Sequence, residues 1–142
     1  MTTMTFEREQ LIRFSHCDPA AIVFFPRYFV MFNNHVEDWF DDGLKLGYAH
    51  VVTERRIGLP TVSIRCDFSR PSRMGERVHL GLAVERLGRS SITLALECRH
   101  GDELRVRAQQ VIVTQSLESG HAVPIPDDIR AAMAAFQQGV PS

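Results

Sequence analysis

The fold of this chain is decided by the stretch SHCDPAAIVFFPRY, residues 15–28. It places one carboxylate, Asp18, in a proline-containing loop directly before an apolar run that leads into a long helix. Pro26 suits the first position of that helix, where its missing N–H costs nothing. The N–H groups of a first helical turn have no partners within the helix and can hold a developing oxyanion. The stretch therefore predicts a carboxylate beside a helix N-terminus, which are the two features that acyl transfer needs.

The segments on either side of this stretch predict a strand before it and a helix after it. Phe6 to Phe14 reads as a strand, which the Asp18-Pro19 step ends because a residue before proline favours extended geometry. Apolar residues recur at helical spacing from Pro26 to Leu44, and their high aromatic content indicates that this helix is largely enclosed. A weaker helical piece is predicted over Tyr48 to Arg56.

After the helices the apolar period changes to that of strands. Alternating apolar residues mark about four further strands, which cover Val62–Phe68, Val78–Val84, Ile92–Cys98 and the stretch that begins with Leu104–Ala108. Gly101-Asp102 favours a tight hairpin between the last two strands. Val111 and Val113 break the alternation, which predicts either burial of both faces or a bulge. A C-terminal helix is predicted over Ile129 to Gln138.

This order of elements, a strand, a buried helix and then a meander of strands, indicates an α+β architecture in which an antiparallel sheet covers one helix. The length of 142 residues corresponds to about one domain. Since no linker, repeat or low-complexity segment divides the chain, we expect residues 1–142 to form a single domain.

Composition excludes several classes of partner. The formal net charge of −1 favours neither nucleic acid nor an acidic membrane surface. No apolar run approaches the roughly 18 to 20 residues of a membrane span, so no membrane insertion is expected. The three cysteines are widely spaced without a C-x-x-C pair, so neither a disulfide framework nor a metal site is expected. A reducing cytoplasm is the expected compartment.

The residues from Cys17 to Tyr28 resemble the motif of the hotdog-fold acyl-CoA thioesterases of the 4-hydroxybenzoyl-CoA thioesterase type. The motif is an Asp, small residues, Ile/Val-Val, two aromatic residues and a helix that opens with x-x-Tyr, and the similarity runs from about Phe6 to Val123. It implies a curved antiparallel sheet of about five strands around one long central helix, with the predicted short helix at the C-terminus. It also implies homodimers or homotetramers with acyl-CoA bound at the subunit interface.

The resemblance assigns roles to individual residues. Asp18 corresponds to the catalytic carboxylate, and Phe25 supplies its backbone N–H to the thioester carbonyl. Arg89 lies where the family often carries basic residues near the phosphates of coenzyme A. Coenzyme A is then part of the substrate, and no separate cofactor is expected.

Two positions bear on the acyl group. Pro26 stands where the branch for short acyl chains often has a histidine, which points to the aromatic branch. Asn33 and Asn34 lie in the stretch where hydroxybenzoyl enzymes carry acidic residues. The expected substrate is therefore an aromatic, hydroxybenzoyl-like acyl-CoA or a short acyl-CoA.

The residues themselves leave the mechanism open. Asp18 can attack the carbonyl to form an anhydride, or it can activate water. Phe24, Tyr28 and Phe32 belong mainly to the core and are also candidates for the wall of the acyl pocket. Cys17 is not expected to be a nucleophile, since its only adjacent histidine, His16, points to the opposite face of an extended segment. Two alternatives are a hotdog enoyl-CoA hydratase and a non-catalytic acyl-CoA-binding module.

Overall fold

The computed structural model describes residues 5–137. The strands are β1 (Phe6–Leu11), β2 (Ile57–Gly58), β3 (Thr61–Phe68), β4 (Arg77–Leu87), β5 (Ser91–His100), β6 (Glu103–Val113) and β7 (Gln115–Ser116). The helices are α1 (Pro26–Asp38) and α2 (Asp127–Ala134), with single turns at Phe14–His16, Trp39–Gly43 and His50–Glu54.

The main sheet has five strands in the order β1-β4-β5-β6-β3, and every neighbouring pair is antiparallel. Its inner face packs on α1, and the core includes Phe32, Trp39, Leu82 and Leu94, each less than 2% exposed. A two-stranded sheet of β2 and β7 stands apart from it. This is the hotdog arrangement, so the α+β class, the sheet, the central helix and the short C-terminal helix are confirmed.

The first strand and the long helix begin where predicted, at Phe6 and Pro26, but both end at other residues. The first strand ends at Leu11 rather than Phe14. Ile12 still donates its N–H to the carbonyl of Glu76 at 2.8 Å, in register with β4, but its own carbonyl accepts the N–H of Gly75, so the regular ladder stops there. The α-helix ends at Asp38, and a wider turn over Trp39–Gly43 carries the chain to Leu44. Trp39 and Phe40 are both fully buried, and the widened turn lets these neighbours face one core.

The remaining helical predictions differ in extent. The piece predicted over Tyr48 to Arg56 is helical over residues 48–54, most of it as the wide turn His50–Glu54. The C-terminal helix begins earlier than predicted, at Asp127, because its two first aspartates favour the positive end of a helix. It ends at Ala134, and the predicted end, Gln138, lies outside the described residues.

The strand pattern explains the break at Val111 and Val113. The two valines point outward and are half-buried, while Gln110 and Ile112 are buried on the inner face. The alternation is therefore kept, with Gln110 as a polar inward residue. A register shift does lie opposite these positions, between Thr61 and Ser63 of β3, which pair with Ile112 and Val111. The tight hairpin is confirmed, because His100 pairs with Glu103 and Gly101 adopts the left-handed φ of 60° that this turn requires.

Candidate active site

Asp18 lies in a closed loop that precedes α1. The loop is closed by an isolated bridge between Cys17 and Val23. Within it, the Asp18 N–H donates to the carbonyl of Ile22 at 3.0 Å, and the Ala21 N–H donates to the carbonyl of Asp18 at 2.9 Å. Through these contacts Ile22 and Val23, which lie just before the helix, are placed next to Cys17 and Asp18.

The Asp18 carboxylate is half-buried and held by its own turn. Its Oδ1 accepts the N–H of Ala20 at 2.8 Å, which is the side-chain bond of an Asx turn. Among residues 5–137, no basic side chain forms an ion pair with it. Ala21 has a left-handed φ of 63°, so the loop holds an alanine in a conformation that L-residues rarely adopt.

The start of α1 leaves one N–H available. Phe24 donates its N–H to the carbonyl of His16 at 2.9 Å, and Tyr28 donates to the carbonyl of Phe25 at 3.1 Å. Pro26 has no N–H. Within the described part of the chain, the Phe25 N–H has no acceptor, and it stands at the positive end of the helix.

The predicted aromatic residues divide into two groups. Phe24 and Phe25 are 49% and 55% exposed. Tyr28 and Phe32 are buried in the core, where their rings stack at 6.5 Å between centroids. Phe68 at the end of β3, which the sequence did not single out, lies 5.9 Å from the ring of Phe25 and 5.8 Å from that of Tyr28.

The segment from Ser69 to Glu76 is a second feature that sequence reasoning missed. Val23 donates its N–H to the carbonyl of Ser72 at 2.9 Å, and Met74 donates to the carbonyl of Ala21 at 3.0 Å. The Asp18 loop is therefore paired against this segment. The only signal for it in the sequence is Arg105, a charged residue next to the apolar positions of β6.

The residues next to Asp18 have structural contacts of their own. Burial, followed by the charge of Asp18, raises the pKa of the Cys17 thiol, so this thiol is not activated as a nucleophile. Burial, followed by the charges of Arg13 and Arg27, lowers the pKa of His16. The His16 Nδ1 accepts the N–H of Arg13 at 2.9 Å, and this contact fixes the turn that leads to Asp18.

Arg89 lies at the opposite end of the sheet from Asp18. It belongs to the turn after β4, whereas the Asp18 loop meets the chain just before β4 begins. The 11 residues of β4 span about 35 Å at the usual strand rise. Asp18, Phe24, Phe25 and Tyr28 are thus brought together within one chain, and Arg89 is not.

One cavity lies at the edge of the sheet, and another lies on its outer face. One of about 240 Å³ lies between α1 and the Thr61 end of β3, and its walls include Asn33, Asn34 and Gln110. A larger one of about 470 Å³ lies on the face away from α1, where Arg65, Glu97 and Arg107 line it. The larger cavity contains none of the predicted site residues.

Two further findings concern residues 5–137. No group of three or more His, Cys, Asp or Glu side chains there has the placement needed to hold a metal ion. None of the helices in the same range has the length and hydrophobicity required to cross a membrane.

The family model of the thioesterase-like superfamily matches residues 12–133. The chain belongs to this superfamily. It is therefore a thioester hydrolase by class, and the residues matched include both Asp18 and the start of α1. No curated protein is detectably similar to it in sequence.

Solved structures of this superfamily have the same fold. A 1,4-dihydroxy-2-naphthoyl-CoA thioesterase from Synechocystis is 22% identical, with a TM-score of 0.84 over 92% of this chain and 96% of that chain. A gentisyl-coenzyme A thioesterase is 20% identical, with a TM-score of 0.79 over 87% of this chain and 98% of that chain. A thioesterase superfamily protein from Jannaschia sp. CCS1 is 20% identical, with a TM-score of 0.88 over 95% and 94%. At these identities the likeness establishes the fold.

Proposed function

We propose that this thioesterase hydrolyses an aromatic, hydroxybenzoyl-like acyl-CoA or a short acyl-CoA to the free acid and coenzyme A, as a member of the 4-hydroxybenzoyl-CoA thioesterase type. The observation that carries the proposal is that the loop holding the Asp18 carboxylate closes directly before α1, where the Phe25 N–H has no acceptor among residues 5–137. The two thioesterases named above act on aromatic CoA esters, and this supports an aromatic acyl group here.

The proposed chemistry uses these two groups. The thioester carbonyl oxygen accepts the Phe25 N–H, which stabilises the charge that develops as the carbonyl is attacked, an effect worth about 3 to 4 kcal/mol per donor. Either Asp18 attacks the carbonyl carbon, the C–S bond breaks and water hydrolyses the anhydride, or Asp18 takes a proton from the attacking water. Both routes release the thiolate of coenzyme A, and neither requires a further cofactor.

The acyl group is proposed to lie against the aromatic side chains at the start of α1. Phe24 and Phe25 offer about half of their surface, while Tyr28 and Phe32 support them from the core. Phe68 completes an edge-to-face contact with Phe25, with their planes at 76°. An aromatic acyl group adds another ring to this cluster.

A homodimer is proposed from the free edge of the sheet. β3 is the last strand in the order, so one side of its backbone has no partner strand among residues 5–137. Val62, Ile64 and Phe68 on this strand are 61%, 42% and 46% exposed. An exposed apolar edge strand is a template for pairing with another chain, and a second copy satisfies it by joining the two sheets. A homotetramer built from two such dimers would pair the β3 edges in the same way.

The dimer also accounts for the position of Arg89. When two copies pair antiparallel through β3, the Thr61 end of one strand lies beside the Phe68 end of the other. Arg89 is at the same end of the sheet as Thr61, since Ser91 of β5 pairs with Val113 of β6. The partner's copy of this arginine is thereby brought toward Asp18, where it can bind the phosphates of coenzyme A.

The proposal is tested by thiol release from benzoyl-, hydroxybenzoyl-, phenylacetyl- and short aliphatic CoA esters. We expect release with the aromatic esters and catalytic turnover above the rate without enzyme. Tight binding of these esters without thiol release would support the binding module instead. Hydration of crotonyl-CoA, followed by absorbance, would support the hydratase. Cytoplasmic location is part of the same proposal, since free coenzyme A esters are the substrates.

A further inference from the structure

One buried guanidinium lies behind the Asp18 loop. The pairing of β5 with β6 shifts between Cys98, which faces Val106, and Arg99, which faces Leu104. Arg105 is the extra residue of this bulge, so it and Val106 are both buried. A bulge turns a side chain away from the direction that strict alternation would give it. Arg105 therefore enters the interior, where it is 6% exposed.

All three nitrogens of the Arg105 guanidinium donate hydrogen bonds to neighbouring residues. Nε donates to Glu103 at 2.6 Å, and Nη1 and Nη2 donate to the two carboxylate oxygens of Glu76 at 2.9 and 3.2 Å. Nη1 also donates to the carbonyl of Pro71 at 2.9 Å and to the hydroxyl of Ser72 at 3.2 Å. A buried charge is tolerated only when it is paired and hydrogen-bonded in this way.

These contacts hold the segment from Ser69 to Glu76 in one shape. The carbonyl of Arg105 accepts the Ser69 N–H at 2.9 Å. The Glu76 carboxylate in turn accepts the Arg73 N–H at 2.6 Å. One residue of the sheet thus fixes the segment at its beginning, its middle and its end.

The same segment is the template for the Asp18 loop. Its Ser72 carbonyl accepts the Val23 N–H, and its Met74 N–H donates to the carbonyl of Ala21, the residue with the left-handed φ. A non-glycine residue in that conformation persists only where surrounding structure imposes it. Ala21 in turn donates its N–H to the carbonyl of Asp18 at 2.9 Å, so its imposed conformation belongs to the turn that holds Asp18.

We infer that Arg105 is a positioning residue, which holds the Asp18 carboxylate in register with the Phe25 N–H by fixing residues 69–76. The inference rests on the proposed function for its catalytic consequence, although the structural part stands without it. Arg105 itself touches neither the carboxylate nor the expected substrate. Its effect passes through the backbone pairs that join the two segments.

The test compares Arg105→Met with Arg55→Met in the full-length protein. Arg55 also forms a two-point ion pair, with Asp128 at 2.7 and 2.9 Å, but lies away from both segments. Amide hydrogen exchange is measured first. We expect Arg105→Met to speed exchange about tenfold in residues 17–24 and 69–76, and not in the centre of β5, whereas Arg55→Met leaves residues 17–24 unchanged. Unchanged exchange in residues 17–24 of a folded Arg105→Met protein overturns the inference, and so does a uniform rise across the sheet.

Kinetics provide the second readout on whichever ester the wild type hydrolyses. We expect kcat of Arg105→Met to fall about 10- to 100-fold with KM within twofold, because a small misplacement of a reacting group has an effect of this size. Equal kcat for Arg105→Met and wild type overturns the catalytic part. If the wild type hydrolyses no ester, the proposed function fails while the exchange result still decides the structural part. If Arg105→Met does not fold, Arg105→Lys is measured by the same two criteria, because lysine keeps the charge and loses the two-point geometry.

Discussion

The Oδ1 of Asp18 accepts the backbone N–H of Ala20 at 2.8 Å, so the proposed catalytic carboxylate is also the residue that closes its own turn. This bond occupies one side of the carboxylate and fixes its rotamer. A second oxygen remains for the substrate or for water, since each carboxylate oxygen can accept more than one bond. Turn formation and catalysis are therefore placed on one side chain.

Replacing Asp18 by asparagine separates these two roles. The amide oxygen of Asn can still accept the Ala20 N–H, so the turn and the melting temperature should stay close to those of the wild type. The nucleophile or base is lost, and kcat for the preferred ester should fall by about 10² to 10⁴. Thiol release and a thermal melt measure the two effects, and near-normal turnover would remove Asp18 from the mechanism.

Ala21→Gly should stabilise the protein. Ala21 holds a φ of 63°, which costs an L-residue about 1 to 2 kcal/mol, whereas glycine adopts it freely. Glycine also makes the unfolded chain more flexible, which lowers the stability of the folded protein by about 0.5 to 1 kcal/mol. We expect the free energy of unfolding to rise by about 0.5 to 1 kcal/mol in denaturant titrations. A loss of stability would show that the loop does not hold this conformation in solution.

Glu76 should make stability depend on acid pH. The hydrogen bonds from Arg105, above all other causes, lower the pKa of Glu76 from 4.5 to about 2. A carboxyl whose pKa is lower in the folded state contributes stability that is present above its unfolded value and lost as pH falls through its folded value. The shift corresponds to at most about 3 kcal/mol, and solvent at the 23% exposed Glu76 side chain reduces it, so Glu76→Gln should cost about 2 kcal/mol at pH 7. The difference from wild type should shrink between about pH 4.5 and pH 2.

The matched control for Glu76 is Glu118→Gln. Glu118 pairs with Arg56 at 3.2 Å, but its side chain is 75% exposed. Exposed pairs contribute about 0 to 1 kcal/mol, so this variant should show little change with pH. Equal pH profiles for the two variants would mean that the Arg105 ion pair contributes no more than a surface pair.

Ile64→Lys should separate the subunits. Ile64 is 42% exposed on the free edge strand β3, and a lysine there disfavours pairing with another strand. We expect the variant to elute as a monomer in size-exclusion chromatography with light scattering, and to show a raised KM because Arg89 of the partner subunit is then absent. Leu117→Lys, at a side chain 37% exposed outside the main sheet, is the control and should leave the assembly unchanged.

Arg89→Ala should raise KM without a comparable change in kcat. One hydrogen bond between a guanidinium and a phosphate is worth about 1.5 to 3 kcal/mol, which corresponds to roughly a tenfold or greater increase in KM. The pantetheine ester of the same acid lacks the nucleotide phosphates, and its KM should be unaffected. An equal rise for both esters would place Arg89 away from the phosphates.

Local signals account for the parts of the structure that the sequence predicted well. These signals are local, because each depends on the backbone preference of a few neighbouring residues. They are the Asp18-Pro19 step, Pro26 at the first position of α1, and the Gly101-Asp102 hairpin. Apolar periodicity predicted α1 and the four strands after it. In β4, β5 and β6 the apolar positions face the core, whereas Val62, Ile64 and Phe68 of β3 are exposed. The boundaries were less accurate, since β1 ends where its partner becomes irregular at Gly75 and Glu76, residues distant in the chain.

The chain's sequence alone determined the five strands of the main sheet, the helices, their order and the carboxylate next to a helix start, because each depends on backbone preference and on side-chain period. The short strands β2 and β7 were not predicted. Only the tertiary structure decided which residues surround Asp18. Arg105 reaches Pro71 and Ser72 from a bulge, and that bulge exists only once β5 and β6 are paired. The separation of Arg89 from Asp18 likewise follows from strand order. Contacts between residues far apart in the chain carry no local pattern, and they form only when the whole sheet closes over α1.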